Sequence, residues 1–169
     1  MLVTETPRLL IRTLEPDDAP SLMHVLGDAE VMRFSIRGVC TPEDIREYIE
    51  RAISSYAERG YGLWALVEKT SSSVIGYCGF GPLMIDEEDQ IEIGYRLARR
   101  YWGQGLITEA ASKVLAHGFG QLGLDTVIAV IQPENIGSVR VAEKVGFHTF
   151  KNSRYHGHDV RIYHKKLSE

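Results

Sequence analysis

The sequence predicts an α/β (α+β) protein: a single domain over residues 1–169, with a mixed, mainly antiparallel sheet and helices on both faces. Three observations predict it. Strand-like and helix-like segments follow in the order β-α-α-β-β-β-α-β-α-β-β, with no repeat, linker or low-complexity stretch between them. Two pairs of strand-like runs are separated only by short turn-forming stretches, which reads as hairpins. One run, Thr126 to Ile131, is almost wholly apolar, as expected for a strand covered on both faces. At 169 residues and 44% hydrophobic content the chain can bury a core of ordinary size, and that composition argues against disorder.

The elements follow in order. Arg8 to Thr13 reads as a first strand around Leu9, Leu10 and Ile11. Pro16-Asp17-Asp18 suits a helix start, because proline fits the first turn and acids match the N-terminal dipole. Its apolar positions are Ala19, Leu22, Met23 and Leu26, and Gly27 ends it. A short helical turn is expected over Ala29 to Phe34, and a loop over Arg33 to Cys40. Thr41-Pro42-Glu43-Asp44 opens a second helix with Thr41 as cap. Ile45, Tyr48, Ile49, Ala52, Ile53, Tyr56 and Ala57 form its stripe, and Gly60 stops it. Leu63 to Glu68 and Val74 to Phe80 form a hairpin across Thr70-Ser71-Ser72-Ser73. After an acidic tip, Asp86 to Asp89, the next strand runs from Ile91 to Leu97. A glycine turn and a helix follow, with Ile107, Ala110, Ala111, Val114, Leu115, Gly118 and Phe119 on one face. After Thr126 to Ile131 come a short helix, Asn135 to Val145, closed by Gly146, and a last hairpin of His148 to Ser153 and Asp159 to Leu167.

Composition narrows the function. A net charge of -4 gives no support to a nucleic-acid scaffold, and the mild acidic bias suits a cationic substrate. The sequence has no apolar run of about 18 residues, and Met1 to Pro7 has neither a basic nor a long apolar region. The expectation is a soluble cytoplasmic protein with no nucleic-acid or membrane partner. Cys40 and Cys78 are isolated; they read as free thiols, with a single disulfide as the other reading.

The stretch Arg99-Arg100-Tyr101-Trp102-Gly103-Gln104-Gly105-Leu106-Ile107 carries the chemistry. A glycine-rich turn opening a helix presents unpaired N–H groups and the positive dipole end to an anion. A Walker loop would need GxxxxGK[ST], and no such string exists. A dinucleotide fold would need GxGxxG in a βαβ unit, and the third glycine is missing. The pattern that does match is [QR]-x-x-G-x-[GA], at Arg100 to Gly105. Taken alone, this short string also fits a helix start that holds no ligand.

A second string, Asn135-Ile136-Gly137-Ser138-Val139-Arg140 through Gly146-Phe147, opens the next helix one strand later. Together the two strings resemble the GNAT superfamily of acyl-coenzyme A N-acyltransferases, and within it the RimJ/RimL-like branch that acetylates ribosomal-protein N-termini. Thr6-Pro7-Arg8-Leu9-Leu10-Ile11-Arg12, Gly62-Leu63-Trp64-Ala65, Ile75-Gly76-Tyr77-Cys78-Gly79-Phe80 and Ile91-Glu92-Ile93-Gly94-Tyr95 extend the likeness over nearly the whole chain. It implies a splayed strand pair, here Ile91–Leu97 and Thr126–Ile131, with acetyl-coenzyme A as co-substrate and no metal.

In that frame, amides around Gln104, Gly105, Leu106 and Ile107 would hold the pyrophosphate. Gly103 and Gly105 would let it approach the backbone, and Arg99 and Arg100 would add charge-assisted contacts. A backbone N–H near Leu97 would stabilise the tetrahedral oxyanion, and Asn135 would bind the pantetheine arm. Many members place a Tyr as proton donor where this chain has Ala142; in the RimL-like branch a Ser can serve, and Ser138 fits. The other reading of Ser138 is a hydrogen bond at the helix start.

The acceptor must present a neutral amine, and a base helps. Alternation puts Gln90, Glu92, Gly94 and Arg96 on one face of their strand, so Glu92 is the candidate base; pairing with a nearby Arg is the other reading. The resemblance implies an N-acetyltransferase acting on a primary amine, either a protein N-terminus or a small amine, and admits pairing into a homodimer. The alternatives are a non-catalytic acyl-coenzyme A sensor and, from a different class, a dinucleotide-dependent oxidoreductase. His156-Gly157-His158 alone makes a poor metal clip. The Asp86 to Asp89 run reads as a solvated hairpin rather than a lure for a cationic acceptor. Trp64, Tyr77 and Trp102 read as core, and Arg33, Phe34, Ile36 and Arg37 fall in the loop that walls the acceptor cleft in this family.

Overall fold

The computed structural model describes residues 1–167. Eight strands form one sheet: β1 (Leu2–Glu5), β2 (Leu9–Thr13), β3 (Leu63–Glu68), β4 (Val74–Ile85), β5 (Glu88–Leu97), β6 (Thr126–Ile131), β7 (Thr149–Tyr155) and β8 (His158–Lys166). Their spatial order is β1-β2-β3-β4-β5-β6-β8-β7. Every pairing is antiparallel except that of β5 with β6. Among the described residues there are four α-helices: α1 (Ala19–Leu26), α2 (Pro42–Arg59), α3 (Leu106–Gly120) and α4 (Ile136–Lys144).

Alternation along the strands divides the core. On β3, Trp64 and Leu66 face the cluster built with Ala110, Val114 and Val139 of α3 and α4. Their neighbours Ala65 and Val67 face the cluster built with Leu22, Leu26 and Ile49 of α1 and α2. The predicted mixed sheet with helices on both faces is therefore present. Cys40 and Cys78 are both free and buried, and they lie in different clusters with the sheet between them.

Local chemistry sets the helix ends. Thr41 Oγ1 accepts from the Asp44 N–H at 3.2 Å, and the Asp44 carboxylate accepts from the Thr41 N–H at 2.7 Å. Gly60 closes α2 at φ +75°, which suits glycine because it has no Cβ to clash. Gly146, at φ +97°, follows α4.

Several elements depart from the sequence reading. β1 is an additional edge strand, held by β2. Residues 16–18 form one 3₁₀ turn before α1, and residues 29–34 are turns rather than helix. β4 runs on to Ile85, and β5 begins at Glu88 rather than Ile91. Asp86 and Glu87 make the connecting turn at φ +52° and +63° without a glycine. The acidic tip is not simply solvated. Asp86 accepts from Ser153 Oγ at 2.6 Å and pairs with Lys151 at 2.8 Å, so the β4–β5 hairpin is tied to β7. Beneath this tie, Leu83 and Ile85 pack on Ile128, Val160 and Ile162.

Candidate active site

The site forms where β5 and β6 part. The two strands register only at Glu92 opposite Ile128. The Ala98 N–H bonds the Ile75 carbonyl at 2.8 Å, so the even-numbered residues of β5 bond to β4. The N–H groups of Tyr95 and Leu97 therefore point toward β6, which has already diverged. On β6, the Leu167 N–H bonds the Asp125 carbonyl, so odd-numbered residues bond to β8 and the Val130 N–H points into the same gap. The Leu97 carbonyl accepts from the Trp102 indole N–H at 2.9 Å. The Tyr95 hydroxyl crosses to α4 and donates to the Ser138 carbonyl at 3.2 Å.

A cleft of about 290 Å³ opens at this split. It gathers Glu92, Asn135 and Ser138 from separate elements, with Tyr48 and Tyr77 on one wall and Tyr155 on another. Phe34, Ser35 and Ile36 line it from the loop before α2, and Gln132 Nε2 donates to the Phe34 carbonyl at 3.1 Å to hold that loop. Gly81 and Gly94 floor the cleft. A Cβ on Gly81 would meet nothing within 4 Å, and one on Gly94 only Leu63 Cδ2 at 3.5 Å.

Burial pushes the Glu92 carboxyl up to about 7; the Val130 N–H and the Arg96 charge oppose the shift without cancelling it. No ion pair among the described residues includes Glu92, so the pairing alternative for this residue is absent there. Asn135 caps α4, its Oδ1 accepting from the Ser138 N–H at 3.3 Å. The helix-start hydrogen bond at Ser138 is made by its backbone N–H, and the residue lines the cleft. Ala142 is 1% exposed and belongs to the core.

The glycine turn lies beyond the end of β5. Gly103 and Gly105 sit at φ +75° and +77°, and Gly105 heads α3 with no capping side chain. The first-turn N–H groups, those of Leu106 and Ile107 among them, are left without helical partners there. Arg8 pins the turn. Its Nη1 donates to the Gln104 carbonyl at 2.9 Å, while its Nε and backbone N–H bond Glu109 at 2.8 and 3.1 Å. The two neighbouring arginines are differently placed. Arg99, largely exposed, has its Nε 3.3 Å from Asp28. Arg100 lies over the Tyr101 ring at 4.8 Å.

Sequence reasoning missed Arg8, Tyr48, Arg96 and Tyr155 as site residues. Arg96 was legible as sharing Glu92's face; the others reach the site only through tertiary packing. Of the aromatics read as core, Trp64 and Tyr77 are both buried in the core, Tyr77 also lining the cleft, and Trp102 is 48% exposed. His156 and Gly157 form the two-residue β7–β8 turn, and His156 stacks edge-on against Tyr155 with centroids 4.4 Å apart.

A parallel strand pair that opens past one carboxylate, followed by an uncapped glycine turn, matches a known family. Residues 8–148 match the model of the acetyltransferase (GNAT) domain, and the chain belongs to that family of acetyl-coenzyme A-dependent N-acetyltransferases. Among individual proteins, it is 35% identical over 164 residues to the uncharacterized protein YkkB of Bacillus subtilis, covering 95% of this chain and 94% of that one. A GNAT-family acetyltransferase from Bacillus anthracis superposes at TM-score 0.83 with 28% identity, covering all of both chains. The RimL ribosomal L7/L12 α-N-protein acetyltransferase, solved with coenzyme A, shares the fold at TM-score 0.79 and 20% identity over 99% of this chain and 98% of that one.

The residues present fit the family's co-substrate. The uncapped start of α3 offers N–H donors to a pyrophosphate, and the unpaired edges of β5 and β6 offer a slot to an amide-bearing arm. No described helix is long and apolar enough to cross a membrane.

Proposed function

We propose that the chain transfers an acetyl group from acetyl-coenzyme A directly to a primary amine, with Glu92 as general base. The observation that carries this reading is the Glu92 carboxyl, pushed to about 7 inside the cleft at the point where β5 and β6 separate. A base with such a pKa is ionised in good part at neutral pH yet basic enough to take an ammonium proton. Acetyl-coenzyme A supplies the activated thioester. The first-turn amides of α3, with Gln104 and Gly105, hold its pyrophosphate, and Asn135 binds its pantetheine arm. The Leu97 N–H faces the negative charge that develops on the carbonyl oxygen. Glu92 removes the amine proton, directly or through water, and the Ser138 hydroxyl hands a proton to the departing sulfur as solvent returns one to it; Glu92 then releases its proton to solvent. Neither Cys40 nor Cys78 lines the cleft, which favours direct attack over an acyl-enzyme.

For the acceptor, the motif resemblance to RimJ/RimL-like proteins favours a protein α-amino terminus, with a small-molecule amine as the second reading. Free-thiol release from acetyl-coenzyme A with a panel of peptides and small amines tests both. Turnover is expected with at least one class. Tight coenzyme A binding with no turnover on any amine would replace this reading with an acyl-coenzyme A sensor.

A further inference from the structure

Arg96 is a cation inside the cleft that no carboxylate contacts, although its charge is felt at Glu92. It lines the same cavity as Glu92, on the same face of β5 and four residues further along. Its Nε is buried and bonds nothing, and its Nη1 donates only to the neighbouring Tyr95 carbonyl at 3.1 Å. No ion pair among the described residues includes it, although Arg8, Arg12, Arg37 and Arg99 each meet a carboxylate. Among the described residues, no aromatic ring takes the charge either. Arg161, whose Nε is also unpartnered, lies 4.6 Å over Phe150, and Arg96 has no such contact. Arg96 is partly exposed, but a guanidinium whose Nε is removed from water without a carboxylate, phosphate or ring carries a cost, and its planar fork suits a carboxylate in particular.

The space beside it is shaped for a ligand. Gly94 lies between Glu92 and Arg96 on this face, and Gly81 pairs with Glu92 across the ladder, so no side chain fills the floor. At about 3.3 Å per residue, the two Cα atoms are roughly 13 Å apart along the strand, and both side chains project over that floor. The cleft thus has a proton acceptor at one end and an unmatched cation at the other.

We propose that Arg96 selects the acceptor by binding a carboxylate that the acceptor carries at a distance from its amine, while the amine lies at Glu92. This rests on the transferase reading and adds the substrate class: an amino acid whose two groups stand well apart, or a peptide with an acidic side chain near its N-terminus. Arg96 is then a specificity residue that touches substrate.

The test measures thiol release from acetyl-coenzyme A with matched acceptors. One set pairs Ala-Asp and Ala-Glu peptides with their Ala-Asn and Ala-Gln counterparts, all as C-terminal amides. The other pairs short ω-amino carboxylic acids with their ω-amino amides, so the two sets separate a peptide from a small-molecule source. Wild type is expected to prefer the carboxylate by about tenfold or more in kcat/KM in one set, since a charged hydrogen bond replaces a neutral one. R96Q should bring that ratio close to one and raise the acceptor KM, with the acetyl-coenzyme A KM within twofold. R96K, which keeps the charge but loses the fork, should retain part of the preference and carries the test if R96Q does not fold.

Equal rates within both sets for wild type would overturn the assignment and leave the transferase reading standing. So would an unchanged ratio in R96Q accompanied by a raised acetyl-coenzyme A KM, which would move Arg96 to the co-substrate. Absence of turnover with every amine, despite coenzyme A binding, would sink the transferase reading and the acceptor assignment with it.

Discussion

At the scale of single residues, Glu92 ties catalysis to stability with opposite signs. As a base it must be ionised, so with a pKa of about 7 the rate should fall as pH drops through 7 and level off above it. E92Q should lower kcat by about 10²- to 10⁴-fold, remove that pH dependence and leave the acetyl-coenzyme A KM nearly unchanged; stopped thiol-release assays from pH 5.5 to 9 check this. For folding, the native pKa lies above the ordinary value of 4.5, so the native state holds a proton that the unfolded chain releases between those values. Below pH 4.5 the group is neutral in both states and adds no penalty. The penalty grows as pH rises toward 7 and is full above it. The shift corresponds to about 3 kcal/mol at most. E92Q should therefore be more stable than wild type at pH 8 and little different at pH 4.5, as read by urea unfolding. Equal differences at both pH values would show that burial of this charge costs nothing. Alternation placed Glu92 correctly on the cleft face, because period two depends only on the strand itself. Arg8 carries no such local signal: it meets Gln104 and Glu109 only after β2 and α3 have packed.

At the scale of elements, the start of α3 and the β4–β5 hairpin make separate predictions. Gly105 holds a left-handed conformation in which a Cβ would lie 3.7 Å from the Arg8 guanidinium, an ordinary contact. The cost of G105A is then conformational, about 1–2 kcal/mol, and a raised acetyl-coenzyme A KM should accompany it, as thermal unfolding and kinetics can measure. D86A removes the partner of both Ser153 and Lys151. Amide exchange over residues 83–90 should quicken, and the acceptor KM should rise while the acetyl-coenzyme A KM stays put; unchanged exchange would mean that Leu83 and Ile85 hold the arm by themselves. These elements differ in legibility for physical reasons. The bounds of α2 were readable because Thr41, Pro42 and Gly60 are local signals of start and stop. β3 and β6 were readable because both are continuous apolar runs. The far ends of β4 and β5 were not, because Asp86-Glu87 turns without glycine and the strand polarity there reflects pairing across a twisted arm. β1 is short and half exposed, and its strand character comes from β2 rather than from its own pattern.

At the scale of the whole molecule, sheet order follows chain order from β1 to β5 on one side of the cleft, and on the other side β8 lies between β6 and β7. The strands β1 to β5 use residues 2–97, whereas β6, β8 and β7 use residues 126–166, and the two groups register at one pair of residues. The overall architecture was legible from element order because hairpins and their turns are local. The cleft's full lining was not, because Tyr48, Tyr77 and Tyr155 come together from distant parts of the chain. With one registered pair, at Glu92 and Ile128, the backbone bonding between these two plates of the sheet is thinnest at the cleft, although side chains also join them through Asp86, Leu83 and Ile85. A co-substrate lying in that gap would act as a rivet, adding hydrogen bonds to both plates at once. At a hundred times its Kd, acetyl-coenzyme A should add about 2.7 kcal/mol to the unfolding free energy, and amide exchange should slow first along β5 and β6, on both sides of the seam.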